Sequence, residues 1–406
     1  MPRRTISLYH RIERALETIA GGSSPLETIQ TTAHFLADTF TDDLGLKGGR
    51  IYSFDDGDYE LVATFGLVGK IPLGQQVGAD YMPIRHLLET GVAVMHRDDP
   101  GLDPTLEDLL GTGEVFAAIV VDDGHFILSF DVDAPHIAVD DLISTLNIVR
   151  LAINQQLREV RMAVVMEDAR RIQTSILPRH LPSPGDFTLA GRCLAAEIVG
   201  GDFYDVIELD DASFDVVVAD ATGHGLPAAL QVRDVFTGLR MGLSREYKLG
   251  GTLERLNRII HRSRLATKFV SLFLAEIDLS GTIMYCCAGH PPALLVRASG
   301  EVERLAAGGL PLGPFPNARY TAGLSKIGPG DTLVIYTDGI TEAHGVGETE
   351  FELDRLEELV VSARDLDPEA LVERIFAEVQ AFSGSETLHD DQTVLVVQRR
   401  KESDDE

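Results

Sequence analysis

The chain has 406 residues, with 35 Lys and Arg against 64 Asp and Glu and a formal net charge of −29. That length exceeds one ordinary core and predicts two or three domains, while the negative charge repels phosphate backbones and anionic lipid and so argues against nucleic acid or a membrane as partner. Three cysteines, Cys193, Cys286 and Cys287, two of them adjacent, suggest no disulfide framework and fit buried small hydrophobes in a reducing, cytoplasmic setting.

The N-terminal stretch, residues 1–23, reads as a short amphipathic helix interrupted by charges, without the apolar core of a signal peptide. "GGSSPLET" at 21–28 then supplies a break, a Ser cap and a Pro for the first turn of a second helix. From about Arg50 to Asp133 short strand-like pieces alternate with turn signals, and "EVFAAIVVDDGHFILSFDV" reads as two strands joined by Asp-Asp-Gly-His. A long helical pattern follows, stopped by Pro178, with Leu142, Leu146, Val149, Ile153, Leu157, Val160 and Val164 advancing by threes and fours as one buried stripe. Such a helix joins domains and pairs with its twin in a homodimer; the alternative is that its first half packs on the preceding sheet. Nowhere does an uncharged apolar run reach the ~18 residues of a membrane span.

From about Gly185 to Arg400 strands alternate with helices. "FDVVVAD" is strand-like, "GLPAALQVRDVFTGLRMGL" and "TLERLNRIIHRSR" are helical, and "KFVSLFLAEIDLSGTIMYCCAG", "DTLVIYTDG" and "DDQTVLVVQ" supply further strands. Long antiparallel pairs plus a few helices predict an α+β layered fold. The organisation expected is a helix over 1–23, a first domain over 24–140, a linker helix and dimer interface over 141–184, a second domain over 185–400 and an acidic tail over 401–406.

Four separated segments place a carboxylate where a strand begins or ends: Asp202 in "GGDFYD", Asp220 closing "VVVAD", Asp338 closing "VIYTD", and Asp390 with Asp391 opening the last strand. Hard divalent cations prefer such oxygen donors, and two ions ~3.5–4 Å apart activate a water for attack on phosphorus. Aspartate is also a common turn former, so spacing alone leaves both readings open.

The residues around these aspartates go further. "VGGDFYD", "VADATGHGLPAAL", "CAGHPPALL", "LPLG", "LVIYTDGITEA" and "DDQTVLVV", in this order, closely resemble the SpoIIE-type, RsbU-like serine phosphatases of the metal-dependent PPM (protein phosphatase 2C-like) family, over about Ile172 to Arg400. The resemblance implies an α-β-β-α sandwich holding two Mn²⁺ or Mg²⁺ ions. Asp202, Asp220 and the backbone carbonyl of Ala221 would hold one metal, Asp220 would bridge to the second, and Asp338 and Asp390 would complete it. Asp390 is preferred to Asp391 because the family's ligand stands three residues before the Thr or Ser of this motif, here Thr393.

The implied reaction is one-step hydrolysis of a phosphoserine or phosphothreonine, on a phosphorylated anti-sigma-factor antagonist in a bacterial partner-switching pathway. His224 is offered as proton donor, although it stands four residues after Asp220 where eukaryotic members have two. Asp205 is read as a support for Asp202 or a local cap, and His290 as structural. "LAAEIVGGD" departs from the family's proline-alanine pair, which puts Glu197 at the rim of the site. Residues 24–157 resemble a GAF-type sensory domain of antiparallel strands and helices, for which no ligand is identified. The rival functions are a small-molecule phosphohydrolase and a catalytically silent phosphoprotein-binding scaffold.

Overall fold

The computed structural model describes residues 24–401 except 69–70, 134–137, 211, 224, 243–248, 264–268, 346, 348 and 386, and not the side chains of 40, 42, 43 and 210. The expected helix over 1–23, His136, His224 and all but the first residue of the acidic tail therefore lie outside the described residues. The chain divides into two compact units, Met1–Val165 and Met166–Glu406.

The first unit opens with helix α1 (Pro25–Leu44), where Ser24 Oγ accepts from Glu27 N and Pro25 takes the first turn. Strands β1 (Leu46–Asp55), β2 (Asp58–Gly66) and β3 (Gln76–Gly78), helix α2 (Met82–Thr90), β4 (Val92–His96), helix α3 (Pro104–Leu110), β5 (Val115–Val121) and β6 (Phe126–Val132) follow. The strands form one sheet in the order β3-β2-β1-β6-β5-β4, every pair antiparallel. The hairpin read from Asp-Asp-Gly-His is β5–β6, and its turn is a single 3-10 turn over Asp122–Gly124.

Helix α4 (Val139–Thr174) runs across the division between the units. Leu142, Leu146, Val149, Ile153 and Leu157 are buried against α1 and one face of the first unit's sheet. Fully burying each such side chain is worth about 1.5–3 kcal/mol, so the sheet and not the helix's own propensity holds this segment. The expected stripe stops there: Val164 is exposed. The helix also ends before Pro178, because Ser175 N and Ile176 N close tight turns onto the Ile172 and Gln173 carbonyls and the residue before proline avoids helical torsions. The sheet's other face packs on α2 and α3 around a cavity of about 50 Å³, with Glu107 buried at its wall and accepting from Tyr81 Oη and Thr112 Oγ1, both at 2.8 Å.

The second unit contains β7 (Phe187–Leu194), β8 (Asp202–Asp210), β9 (Ser213–Ala221), α5 (Leu226–Gly242), α6 (Leu249–Arg262), β10 (Val270–Asp278), β11 (Thr282–Ala288), β12 (Ala293–Val296), β13 (Val302–Leu305), β14 (Gly308–Gly309), β15 (Gly323–Lys326), β16 (Thr332–Tyr336), α7 (Asp338–Thr341), α8 (Leu353–Ser362), α9 (Pro368–Ser383) and β17 (Gln392–Arg399). One sheet runs β14-β11-β10-β9-β8 with β15 beside β11, the other β13-β12-β16-β17-β7. Phe187, Val216, Phe273, Leu333 and Leu395 meet between the sheets. Val217, Val232, Leu253 and Leu272 pack the first sheet on α5 and α6, while Val334, Leu356, Leu371 and Val394 pack the second on α8 and α9. This is the α-β-β-α sandwich expected from the resemblance.

Candidate active site

Alternation along β9 decides where its aspartate points. Val216 and Val218 face the second sheet while Val217, Ala219 and Ala221 face the helices, so Asp220 points between the sheets, at the end of the strand. Asp202 starts β8 directly opposite it, and Ser271 of β10 stands on its other flank. Asp338 begins α7 immediately after β16, and Asp390 and Asp391 immediately precede β17. The second sheet thus brings its carboxylates to the same end of the sandwich.

These groups feel one another. Burial, and then the charges of Asp338, Asp390 and Asp391, push Asp220 up to about 8. Asp202 is raised well above the usual carboxylate range by burial first and by Asp220 and Asp391 next. Burial, followed by repulsion from Asp390, raises Asp338. The four aspartates singled out in the sequence are therefore electrostatic neighbours, though among the described residues no three His, Cys, Asp or Glu side chains close around a single point.

A cation's ordinary role in such a place is to offset this repulsion, and the backbone fits one. A Cβ on Gly201 would lie 2.4 Å from the carbonyl oxygen of Ala221, so only glycine leaves that carbonyl room beside Asp202 and Asp220. Gly339 is equally constrained, since a Cβ there would come within 2.0 Å of the Asp391 carbonyl oxygen.

Asp390 and Asp391 separate by role. Asp391 is buried and accepts from the backbone N–H groups of Ala196, at 2.8 Å, and Gly201. Asp390 is exposed, takes the Asp391 N–H on one oxygen at 2.8 Å, and is the aspartate whose charge most raises Asp338. Asp205 turns to the opposite face of β8, where both its oxygens take Arg240 of α5 at 2.9 Å. It clamps strand to helix and does not join the carboxylate group. His290 is buried, its Nδ1 lies 2.7 Å from Ser271 Oγ, and burial drops its pKa to about 3, which keeps the ring neutral. Its ring thus bonds a neighbouring strand's side chain. Glu197 is exposed beside Gly225.

Two further residues escaped the sequence reading, which named Asp391 only as the alternative to Asp390. Thr337 donates to Asp202 Oδ2 at 2.7 Å and accepts from Thr393 N at 2.9 Å, tying β8 to β16 and β17 through one hydroxyl. Gln173, in the last turn of α4, donates to Gly200 O at 2.6 Å and accepts from Gly200 N at 2.9 Å, so its amide grips the backbone just before Asp202. Their only sequence signals were position: a hydroxyl before the "DG" step, and a polar side chain that the helix buries.

Residues 210–400 match the family model "Stage II sporulation protein E (SpoIIE)". Among curated relatives, Protein IcfG of Synechocystis sp. is 28% identical over 282 residues, 62% of this chain and 44% of IcfG. Phosphoserine phosphatase RsbU of Bacillus subtilis is 25% identical over 252 residues, 61% of this chain and 74% of RsbU. The chain thus spans less than half of IcfG and about three quarters of RsbU. Among solved structures, the SiaA-PP2C domain of Pseudomonas aeruginosa superposes with a TM-score of 0.52 at 21% identity, covering 59% of this chain and 97% of that one, which is a likeness of fold. With the sandwich, the matched residues and these relatives together, the C-terminal unit carries a SpoIIE-type domain of the PPM, protein phosphatase 2C-like, phosphatases.

Proposed function

We propose that the protein is a metal-dependent phosphatase that hydrolyses a phosphoserine or phosphothreonine in another protein. The observation that carries this is the meeting, at one end of the sandwich, of Asp202, Asp220, Asp338 and Asp390 from four separate segments, in a domain whose relatives include a phosphoserine phosphatase. Asp202, Asp220 and the Ala221 carbonyl would hold one Mn²⁺ or Mg²⁺, and Asp220, Asp338 and Asp390 would hold the other. Bound there, the pair supplies a water acidic enough to attack phosphorus and offsets charge on the phosphoryl oxygens.

The chain's own part is to hold the donors. Thr337 fixes the Asp202 carboxylate, while Asp391 and Gln173 fix the backbone of Gly200 and Gly201. Gly201 keeps the Ala221 carbonyl uncovered. The substrate is a phosphorylated anti-sigma-factor antagonist, the protein works in the cytoplasm as a homodimer paired through α4, and the first unit is a GAF-like sensor whose ligand reaches the cavity beside Glu107. These points rest on the family resemblance, on the exposed Val164 and Val165 of α4, and on that cavity. His224 remains the candidate proton donor.

The test is phosphate release from para-nitrophenyl phosphate by the full chain as Mn²⁺ is titrated, beside Asp220→Asn. Metal-dependent release that falls more than about 100-fold in the variant is the expected result. No release by the full chain at saturating Mn²⁺, nor by the second unit alone, would leave a phosphoprotein-binding scaffold in its place.

A further inference from the structure

A groove of about 490 Å³ opens in the second unit with Asp390 and Gly339 in its wall, and it continues away from the aspartate group between α7, α9 and the stretch leading into β17. Its size is that of a site for a sizeable ligand. Three features of its lining narrow the occupant. Phe376, Val379, Leu194 and Leu388 give it an apolar floor. Gln380, Ser383, Thr387 and Gln392 add neutral donors and acceptors, the kind that pair with peptide N–H and C=O groups.

Charge decides the rest. Among the described residues Arg192 is the one Lys or Arg of the lining, and Glu373 takes it on both carboxylate oxygens, at 2.7 and 2.8 Å, while the guanidinium lies 5.0 Å from the centre of the Phe376 ring. Glu342 and Asp390 add two more carboxylates. A nucleotide or any second phosphate would meet the carboxylates of Glu342 and Asp390 and a guanidinium already paired with Glu373, whereas an extended peptide with an apolar and a basic side chain meets the apolar floor and the Glu342 carboxylate.

We propose that this groove seats the stretch of the protein substrate beside its phosphorylated residue, selecting a segment that carries an apolar side chain and a Lys or Arg, and so sets the substrate preference of the enzyme. The inference rests on the phosphatase reading of the neighbouring aspartates. Its continuity with Asp390 puts the peptide directly beside the phosphate-bearing side chain.

The test uses the full chain with Mn²⁺ and three substrates: para-nitrophenyl phosphate, a phosphoserine peptide with Leu and Lys flanking the phosphoserine, and the same peptide with Asp in their place. The wild type should turn over the Leu-Lys peptide with a kcat/KM at least ten times that of the Asp peptide. Gln380→Trp, which fills the groove, should bring the two peptides within threefold of each other and lower the ratio of Leu-Lys peptide to para-nitrophenyl phosphate kcat/KM at least tenfold. Ala377→Trp, on the next turn face of α9, should do the same and guards against a folding defect in the first variant. Equal use of both peptides by the wild type, or a peptide preference that both variants retain, overturns the groove's role. Hydrolysis of para-nitrophenyl phosphate and of neither peptide overturns the protein-substrate reading with it, and hydrolysis of none of the three overturns the phosphatase reading itself.

Discussion

Strand β9 holds two aspartates, one buried and one half-buried, an odd number of residues apart, so Asp215 and Asp220 face opposite sides of the same sheet. Burial, with a nearby carboxylate adding to it, pushes both up to about 8. Asp220 faces Asp202, Asp338 and Asp390 beside a carbonyl kept open by a glycine. Asp215 lies on the helix face between Glu276 of β10 and Ile207 of β8, and among the described residues neither of its oxygens has a hydrogen-bond partner. A displaced pKa therefore does not mark chemistry by itself; what marks it is convergence of donors from separate segments.

The sharpest way to break that contrast is to neutralise each aspartate in turn. Asp220→Asn should abolish metal-dependent phosphate release, by more than about 100-fold, while Asp215→Asn should leave it within about twofold. Parallel Mn²⁺ titrations of both variants check this. Comparable losses in the two would mean that Asp220 acts through the fold, as any buried group of β9 could.

Adjacent Asp390 and Asp391 repeat the contrast one residue apart. Asp391→Ala strips the acceptor from the N–H groups of Ala196 and the buried Gly201, and leaving such donors unpaired costs about 1–3 kcal/mol each. The variant should melt lower by an amount corresponding to about 2–6 kcal/mol. Asp390→Ala removes an exposed carboxylate, so its melting should shift by less than about 0.5 kcal/mol while activity is lost. Thermal melts of the two proteins beside the same activity assay decide it, and a stability loss in Asp390→Ala equal to that of Asp391→Ala would dissolve the distinction.

How far the sequence reached follows the same line. The helix after Ser24, the Asp-Asp-Gly-His hairpin and the strands around Asp220 and Asp338 were legible because local pattern and long-range packing agree there, while the two-sheet sandwich came only with the family resemblance. The extent of the α4 stripe was not: periodicity continues past Leu157, but the sheet that buries it does not, and Val164 is left exposed. The aspartates could be named from their motifs. Their scaffold could not, since Thr337, Gln173 and Asp391 reach partners far away in the chain through hydrogen bonds that leave no periodic trace. Asp205 was seen, but its role came only with Arg240, which the register of β8 and the face of α5 bring to it.

The pH dependence of stability tests the far end of β9 most directly. In the unfolded chain Asp215 ionises near the ordinary ~3.9, while in the folded protein it keeps its proton until about pH 8. Between those values the folded state binds more protons than the unfolded one, so this group makes stability fall as pH rises, with the full loss reached above about 8. Asp215→Asn removes that dependence at nearly constant shape. The variant should match the wild type near pH 4 and exceed it by at least about 1 kcal/mol at pH 8.5, which for a unit of this size is about 2–4 °C in melting temperature. Melting curves of both proteins from pH 4 to 8.5 read the difference directly. A gap that stays flat across that range would mean that Asp215 is ionised in the fold, and that Glu276 and the helix face above it leave far more solvent than their packing implies.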